Sequence, residues 1–273
     1  MPSSLAHFQT RVWTYYRRHK RRFPWRETRD PYCILVSEIM LQQTQAPRVV
    51  AKYESFLKRF PTVQKLAAAS VASVLREWQG LGYNRRGLAL KKSAEAIVTQ
   101  FKGKVPRNYE ALLSLPGVGP ATAGDILAFA WNEPVTVIET NIRSVFINEF
   151  FPEADSVHDR ELLPLISRAV DTKNPREWYY ALMDYGAWLK KTVPNPSRRS
   201  RHFTAQSPFK GSNREQRSKI LRYLLSYPKQ TAATIAAALD SDLPKLIDNL
   251  ERLSAEGLIA SRKSKGKQIY LIP

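Results

Sequence analysis

Leu115-Pro116-Gly117-Val118-Gly119-Pro120-Ala121-Thr122 is the stretch around which the rest of the chain is organised. Ahead of it, Ala111, Leu112 and Leu115 carry helical apolar spacing. Pro116 ends that helix, because its ring clashes with the preceding turn and supplies no N–H. Gly117 and Gly119 open backbone conformations, and a close approach of the chain to another surface, that a Cβ forbids. Pro120 suits the first turn of a new helix, where a missing N–H leaves no bond unmade. That helix continues through Thr122, Ile126, Leu127 and Ala130. Its free N–H groups and positive dipole end, beside the glycines, make an anion site and most naturally a phosphate clamp. A tight helix–helix turn with no ligand accounts for the spacing equally well, so the rest of the chain has to decide. A second signal follows at Val137-Ile138-Glu139-Thr140-Asn141.

A chain of 273 residues can bury a sizeable core and is read as one large domain plus a small one. Forty-three Lys and Arg face 24 Asp and Glu, a net charge of +19. Such an excess favours a polyanionic partner, nucleic acid before membrane. A solvated basic surface serving solubility is the plainer alternative. The charge is clustered: Arg11 to Arg29 holds eight Lys or Arg against one Glu, and Arg198 to Arg222 repeats that ratio. Cys33 is the only cysteine, which excludes a disulfide and a cysteine-ligated metal or iron–sulfur cluster within one chain. The four histidines show no ligand spacing, so no cofactor is expected. No signal peptide is evident, and no apolar run approaches the ~20 residues that span a bilayer. A cytoplasmic, nucleoid-associated protein without a membrane partner is expected.

The spacing predicts helices over 4–21, over 31–60 with a break at Pro47, and over 62–69, 70–79, 85–101, 108–115, 120–131, 158–171 and 175–191. Between the first two, Arg22-Phe23-Pro24-Trp25-Arg26 reads as an extended basic–aromatic connector. No convincing strand precedes residue 190, so the domain is all-α. Residues 192–213, with Pro194, Pro196 and Pro208 among Ser, Asn and Arg, read as an irregular basic linker. Helices at 214–226, 231–239 and 243–256 precede two short strands, Leu258–Arg262 and Lys267–Ile272, around Lys263-Ser264-Lys265-Gly266. Three helices and a basic hairpin resemble a winged helix, which serves either as a DNA reader or as a protein-docking module. The expected domains are therefore 1–191, the linker 192–213 and 214–273.

Glu38 stands in an otherwise apolar helix, among Ile34, Leu35, Val36, Ile39, Met40 and Leu41. A carboxyl so placed is costly to ionise, holds its proton near neutral pH and meets the requirement for a general acid. A rim glutamate pointing to solvent is the alternative for this residue alone. Gln42, Gln43 and Thr44, at the end of the same helix, can wedge into a duplex and hydrogen-bond to bases.

Four linked motifs now stand in order: Ser37-Glu38-Ile39-Met40-Leu41-Gln42-Gln43-Thr44-Gln45, Gly80-Leu81-Gly82-Tyr83, Leu115-Pro116-Gly117-Val118-Gly119 and Met183-Asp184-Tyr185-Gly186-Ala187. Over roughly residues 5–190 the chain resembles the MutY-like adenine DNA glycosylases of the helix-hairpin-helix glycosylase superfamily. The resemblance implies a two-lobed helical domain with its active site in a cleft, acting on double-stranded DNA with a flipped-out base. Glu38 would protonate the departing adenine and help activate water. Glu139 falls where the family has an aspartate, which stabilises the oxocarbenium-like sugar or captures it. Gln42 and Gln43 match the wedge and lesion contacts, with Thr44 beside them, and Tyr83 matches a tyrosine inserted beside the opposite base. Gly117, Val118, Gly119, Ala121, Thr122, Asn141 and Arg26 are the further DNA-binding candidates.

The departures from the family bear on mechanism. Relatives that also cleave the strand carry a Schiff-base lysine directly after the hairpin, where this chain has Ala121. A monofunctional enzyme without lysine-dependent lyase activity is expected. MutY-like enzymes usually place Ser or Tyr there, so Ala121 removes a polar group from the pocket wall. Glu139 is one methylene longer than the family aspartate. The four cluster cysteines that should follow Met183–Ala187 are absent, and the winged-helix candidate is expected to stand in place of the family's C-terminal domain that senses 8-oxoguanine. The basic 190–213 segment is expected to supply the DNA contacts of the missing cluster loop. The expected activity is removal of adenine opposite guanine or 8-oxoguanine by a monomer. The alternatives are a thymine or uracil glycosylase acting on guanine mismatches, and a non-catalytic DNA-binding protein on the same scaffold.

Overall fold

The computed structural model describes residues 4–264 and 266–273; Lys265, in the expected hairpin loop, lies outside them. In chain order the helices are α1 (Leu5–His19), α2 (Pro31–Leu41), α3 (Ala46–Arg59), α4 (Val63–Ala67), α5 (Val71–Trp78), α6 (Arg85–Gln100) and α7 (Tyr109–Leu113). They continue as α8 (Pro120–Trp131), α9 (Thr140–Phe150), α10 (Asp159–Ala169), α11 (Pro175–Thr192), α12 (Asn213–Ser226), α13 (Ala232–Leu239) and α14 (Leu243–Ala255). Strands β1 (Ala260–Ser264) and β2 (Lys267–Leu271) form an antiparallel hairpin, paired from Ala260↔Leu271 to Ser264↔Lys267. The all-α reading holds, with the C-terminal hairpin as the two-stranded sheet.

The chain divides into two units, each assembled from separate segments. The first comprises the chain up to Glu38 with Arg107–Ser114 and Val118–Ala205, and the second Ile39–Pro106, Leu115–Gly117 and Gln206–Pro273.

In the first unit the core is aromatic. Phe8 of α1 meets Phe146 and Phe150 of α9 and Trp178 of α11 edge-on, at centroid distances of 5.1, 5.2 and 6.1 Å. Such edge-to-face pairs add to the area their rings bury. Gly186 of α11 lies directly on α9, since a Cβ there would meet the Asn141 carbonyl oxygen at 2.6 Å. Helix α9 corrects the sequence reading, which has no helix between 131 and 158. Its inward residues Ile142, Val145 and Phe146 are helically spaced and fully buried. Its N-cap is Glu139, outside the usual Ser, Thr, Asp and Asn, and its β-branched content reads as strand or loop. A second correction concerns Pro24–Arg26, which form one 3₁₀ turn rather than an extended connector. Asp184 holds this turn, accepting from both Arg26 Nη atoms at 2.8 and 2.9 Å and from Arg21 Nε at 2.6 Å. The expected irregular linker also carries structure. Pro196–Arg199 make a 3₁₀ turn, Ser200 bridges Val157, and Arg199 Nη1 donates to the carbonyls of Phe151, Pro152 and Ala154.

In the second unit, Trp78 lies beneath Gly87 of α6, where a Cβ would meet the indole at 2.8 Å. The C-terminal helices and hairpin have the predicted order. Their core residues Ile220, Leu224, Ile235, Leu246, Leu250 and Leu258 join Leu75 of α5 and Leu88 of α6 in one apolar cluster. Burial of this kind contributes roughly 25 cal/mol per Å² of apolar surface, so Leu75 and Leu88 tie α5 and α6 to the residues after 213.

The hairpin glycines differ. Gly117 has φ +83°, and a Cβ would meet that of Ala89 at 2.8 Å, so only glycine fits. Gly119 corrects the expectation of unusual backbone freedom. Its φ of −100° is open to any residue, and no atom lies within 4 Å of a Cβ built there. What glycine supplies at 119 is open space at the start of α8, whose N-cap makes no side-chain hydrogen bond. Pro120 occupies the first turn, as predicted.

Candidate active site

The first unit gathers three carboxyl groups. Glu38 is only 8% exposed on α2, with Ile34, Leu35 and Val36 fully buried around it, which removes the solvent-facing alternative. Burial raises its pKa to about 8; the Glu139 charge adds to the rise and Arg26 opposes it. Glu38 therefore holds its proton at neutral pH. Glu139 is the N-cap of α9. One of its oxygens accepts the N–H groups of Asn141 and Ile142 at 2.7 and 2.8 Å, and the other accepts Asn141 Nδ2 at 3.1 Å. Three N–H donors at a helix N-terminus suit an anion. One carboxylate thus caps two backbone groups and orients Asn141 as well.

Arg26 is 8% exposed and makes a bidentate pair with Asp184, itself 2% exposed. Its guanidinium also lies 4.4 Å from the centroid of the Tyr180 ring. Paired and buried in this way, Arg26 acts on the site through its charge, opposing the rise at Glu38. Tyr180 stacks on Phe129 of α8 at 4.4 Å, and burial pushes its own pKa up. Thr122 is buried on α8, while Ala121, one residue before it, is half-exposed. Lys190 of α11 has its pKa lowered, by burial first, with Glu139 opposing. The arrangement can hold one proton on a neutral acid and keep a second carboxyl as an anion, which is the pairing that acid-catalysed cleavage of a glycosidic bond needs.

The second unit carries the other candidates. Gln42 donates to the Gly117 carbonyl at 3.0 Å, tying the end of α2 to the hairpin. Gln43 and Tyr83 both have left-handed backbones, φ +53° and +47°. Strain in non-glycine residues concentrates where the surrounding structure fixes a functional geometry. Arg86 supplies much of that fixing. Its Nη1 donates to the carbonyls of Ile39 and Met40, each at 3.0 Å, and of Gln42. Its Nη2 donates to Thr44 Oγ1 at 2.9 Å and to the carbonyls of Leu81 and Gly82. The wedge turn and the Gly80–Tyr83 turn are thus held by one guanidinium. The Tyr83 hydroxyl accepts from Arg214 at 2.6 Å, and Gln206 is bonded to it as well.

Residues 36–166 match the HhH-GPD superfamily base excision DNA repair proteins. The adenine DNA glycosylase of Mycobacterium tuberculosis (strain CDC 1551 / Oshkosh) is 34% identical over 279 residues, covering 92% of this chain and 89% of that protein. The chain belongs to the HhH-GPD superfamily. A second relative in this superfamily, the adenine DNA glycosylase of Buchnera aphidicola subsp. Baizongia pistaciae (strain Bp), is 32% identical over 191 residues. That match covers 68% of this chain and spans about half, 54%, of the relative's length. A solved thermostable thymine-DNA glycosylase superposes with a TM-score of 0.65 at 28% identity, covering 71% of this chain and 90% of that one.

Within this superfamily scaffold, sequence reasoning missed Asp125, Tyr180 and Arg86. Asp125 stands in a run of small and apolar residues, Ala123-Gly124-Asp125-Ile126-Leu127, and is the same signal that singled out Glu38. Arg86 follows Arg85 in a chain rich in arginine, and nothing in its spacing separates a buried clamp from a surface charge. Among the described residues, no group of three or more His, Cys, Asp or Glu side chains is placed to hold a metal ion, and no helix is long and apolar enough to cross a membrane.

Proposed function

We propose that this protein is a monofunctional DNA glycosylase of base excision repair. It takes a mispaired base out of duplex DNA and hydrolyses its N-glycosidic bond, with adenine opposite guanine or 8-oxoguanine as the substrate pair. The observation that carries this reading is the neutral Glu38 in the same unit as the capped Glu139. Glu38 gives its proton to the departing base as the bond from C1′ to the base nitrogen breaks. The electron-poor C1′ is stabilised by the Glu139 carboxylate, water adds to C1′, and the proton it loses returns to Glu38. The outcome is free base, an abasic site and an unchanged enzyme.

The uncapped start of α8, with open space at Gly119, supports a phosphate contact there. Gln42, Gln43, Thr44 and Tyr83 are assigned to the duplex beside the extruded base. A net charge of +19 supports the DNA partner. Ala121, in place of a lysine, supports hydrolysis without strand cleavage, and a single cysteine supports function without an iron–sulfur cluster. A monomer in the cytoplasm, associated with the nucleoid, completes the proposal. A second reading, thymine or uracil opposite guanine, is favoured by the likeness to the thymine-DNA glycosylase and by the small residue at 121.

Single-turnover base release on duplexes containing A·G, A·8-oxoguanine, T·G and U·G separates these readings. Alkali reveals abasic sites, and an untreated half reports strand cleavage. Adenine release with intact untreated strands is expected. Thymine or uracil release selects the second reading. Tight binding with no release from any duplex contradicts the enzymatic one.

A further inference from the structure

Asp125 is used by none of the steps above, yet it is 5% exposed and its Oδ1 is enclosed without a hydrogen-bond partner. Two other buried acids of the same unit are satisfied. Asp184 has Arg26 and Arg21, while Glu149 has Arg11 at 2.8 Å and the Tyr185 hydroxyl at 3.4 Å. An unpartnered buried carboxyl is expensive and calls for a functional reason.

Its placement is fixed from two sides. Gly124 lets α8 approach the segment leading to Glu139, since a Cβ there would meet Val137 Cγ2 at 2.8 Å. The Tyr179 hydroxyl pins that segment, accepting the Val137 N–H at 3.1 Å and donating to the Val135 carbonyl. Asp125 follows Ala121 by four residues and Thr122 by three, so the three share one face of α8. On that face Ala121 is apolar, and the polar group of the wall stands one turn deeper. Burial first, with the neighbouring Glu38 and Glu139 carboxyls adding to it, pushes the Asp125 pKa well up. The side chain is therefore a neutral acid, offering an O–H donor and a C=O acceptor side by side.

We infer that Asp125 is a base-recognition residue, lining the pocket that takes the flipped base and pairing its carboxylic acid with a base edge that carries a donor beside an acceptor. The inference rests on the glycosylase reading and deepens it. The amino group of adenine with its neighbouring ring nitrogen is such an edge, and so is the imide of thymine or uracil. In either case the unmatched Oδ1 gains its partner when the base arrives.

The test is a binding comparison that needs no turnover. Wild type, Asp125→Asn and Asp125→Leu are titrated with a duplex carrying 2′-fluorinated, non-hydrolysable deoxyadenosine opposite guanine, and with one carrying a tetrahydrofuran abasic analogue. Asp125→Leu is expected to weaken the base-bearing duplex about tenfold, the scale of one lost buried hydrogen bond, and to leave the abasic duplex unchanged. Asp125→Asn keeps a donor and an acceptor in the same shape and holds the wild-type ratio. Equal weakening of both duplexes by Asp125→Leu, or no change in either, would overturn the inference. Should Asp125→Leu fail to fold, Asp125→Ala replaces it with the same expected ratio. Natural duplexes run in parallel with wild type report base release separately, so loss of the catalytic reading is distinguishable from loss of this one.

Discussion

Burial of charged groups has opposite outcomes in the two units. In the first, Glu38 and Asp125 sit among apolar side chains and answer by holding their protons. In the second, Arg86 is also largely buried, and burial lowers its pKa only to about 10, leaving it cationic at neutral pH. Its terminal nitrogens are met by five carbonyl oxygens and the Thr44 hydroxyl. A charge whose terminal nitrogens are met serves position, although Arg86 Nε itself has no partner; under-partnered carboxyls become a proton reservoir and serve chemistry. The Arg26–Asp184 pair shows that the first unit can satisfy a buried charge where structure requires it.

Glu38→Gln removes the proton and keeps the shape, so the largest effect is expected there. Single-turnover base release should fall about a thousandfold, within the usual range for a lost general acid. Duplex affinity, which phosphate contacts dominate, should stay within a few-fold of wild type. Retained turnover would take the acid role from Glu38. Arg86→Met attacks the other side of the contrast by stranding a set of buried carbonyls. A loss of roughly 3 kcal/mol in urea unfolding is expected, because each orphaned acceptor costs about 1–3 kcal/mol and part of the set regains water. A loss below about 0.5 kcal/mol would mean the guanidinium does not hold the two turns.

The two kinds of burial also differ in pH dependence. The folded-state pKa of Glu38 lies near 8, above its ordinary 4.5. Stability tied to the neutral acid is thus fully present below pH 4.5 and lost as pH rises through 8. Glu38→Gln should match wild type near pH 4.5 and exceed it by a few kcal/mol at pH 8 and above, at about 1.4 kcal/mol per pH unit of separation. Chemical unfolding at the two pH values measures this, and a gap that closes with rising pH contradicts the sign. Arg214→Ala should have the smallest effect, below about 1 kcal/mol in stability. It frees the Tyr83 hydroxyl from one of its donors, so a modest fall in duplex affinity is expected without loss of excision.

Most of the helices were legible, because α1, α3, α5 and α10 alternate apolar and polar residues at the helical period and their ends carry Ser, Thr, Pro and basic signals. Helix α9 was not, since a glutamate N-cap and a β-branched start conceal it. Glu38 was legible because an acid flanked by apolar helix neighbours either faces solvent or holds its proton, and the motif around it pointed to the second. The same argument holds for Asp125, but the glycine and alanine beside it look like a packing seam rather than a pocket. The attachment of residues after 213 to Leu75 and Leu88 could not be read from spacing, since any apolar stripe fits any other. Arg86 was invisible because a charge reveals its partners only through tertiary contacts.

The most direct test of the account is the pH profile of single-turnover base release by wild type and Glu38→Gln on the duplex that wild type cleaves. If Glu38 must be protonated, the wild-type rate falls on the alkaline side with an apparent pKa near 8, about tenfold per pH unit beyond it. The variant is then slow and flat across the same range. A wild-type rate that is level through pH 9, or a variant that keeps the alkaline fall, would contradict the claim that the buried acid drives the reaction.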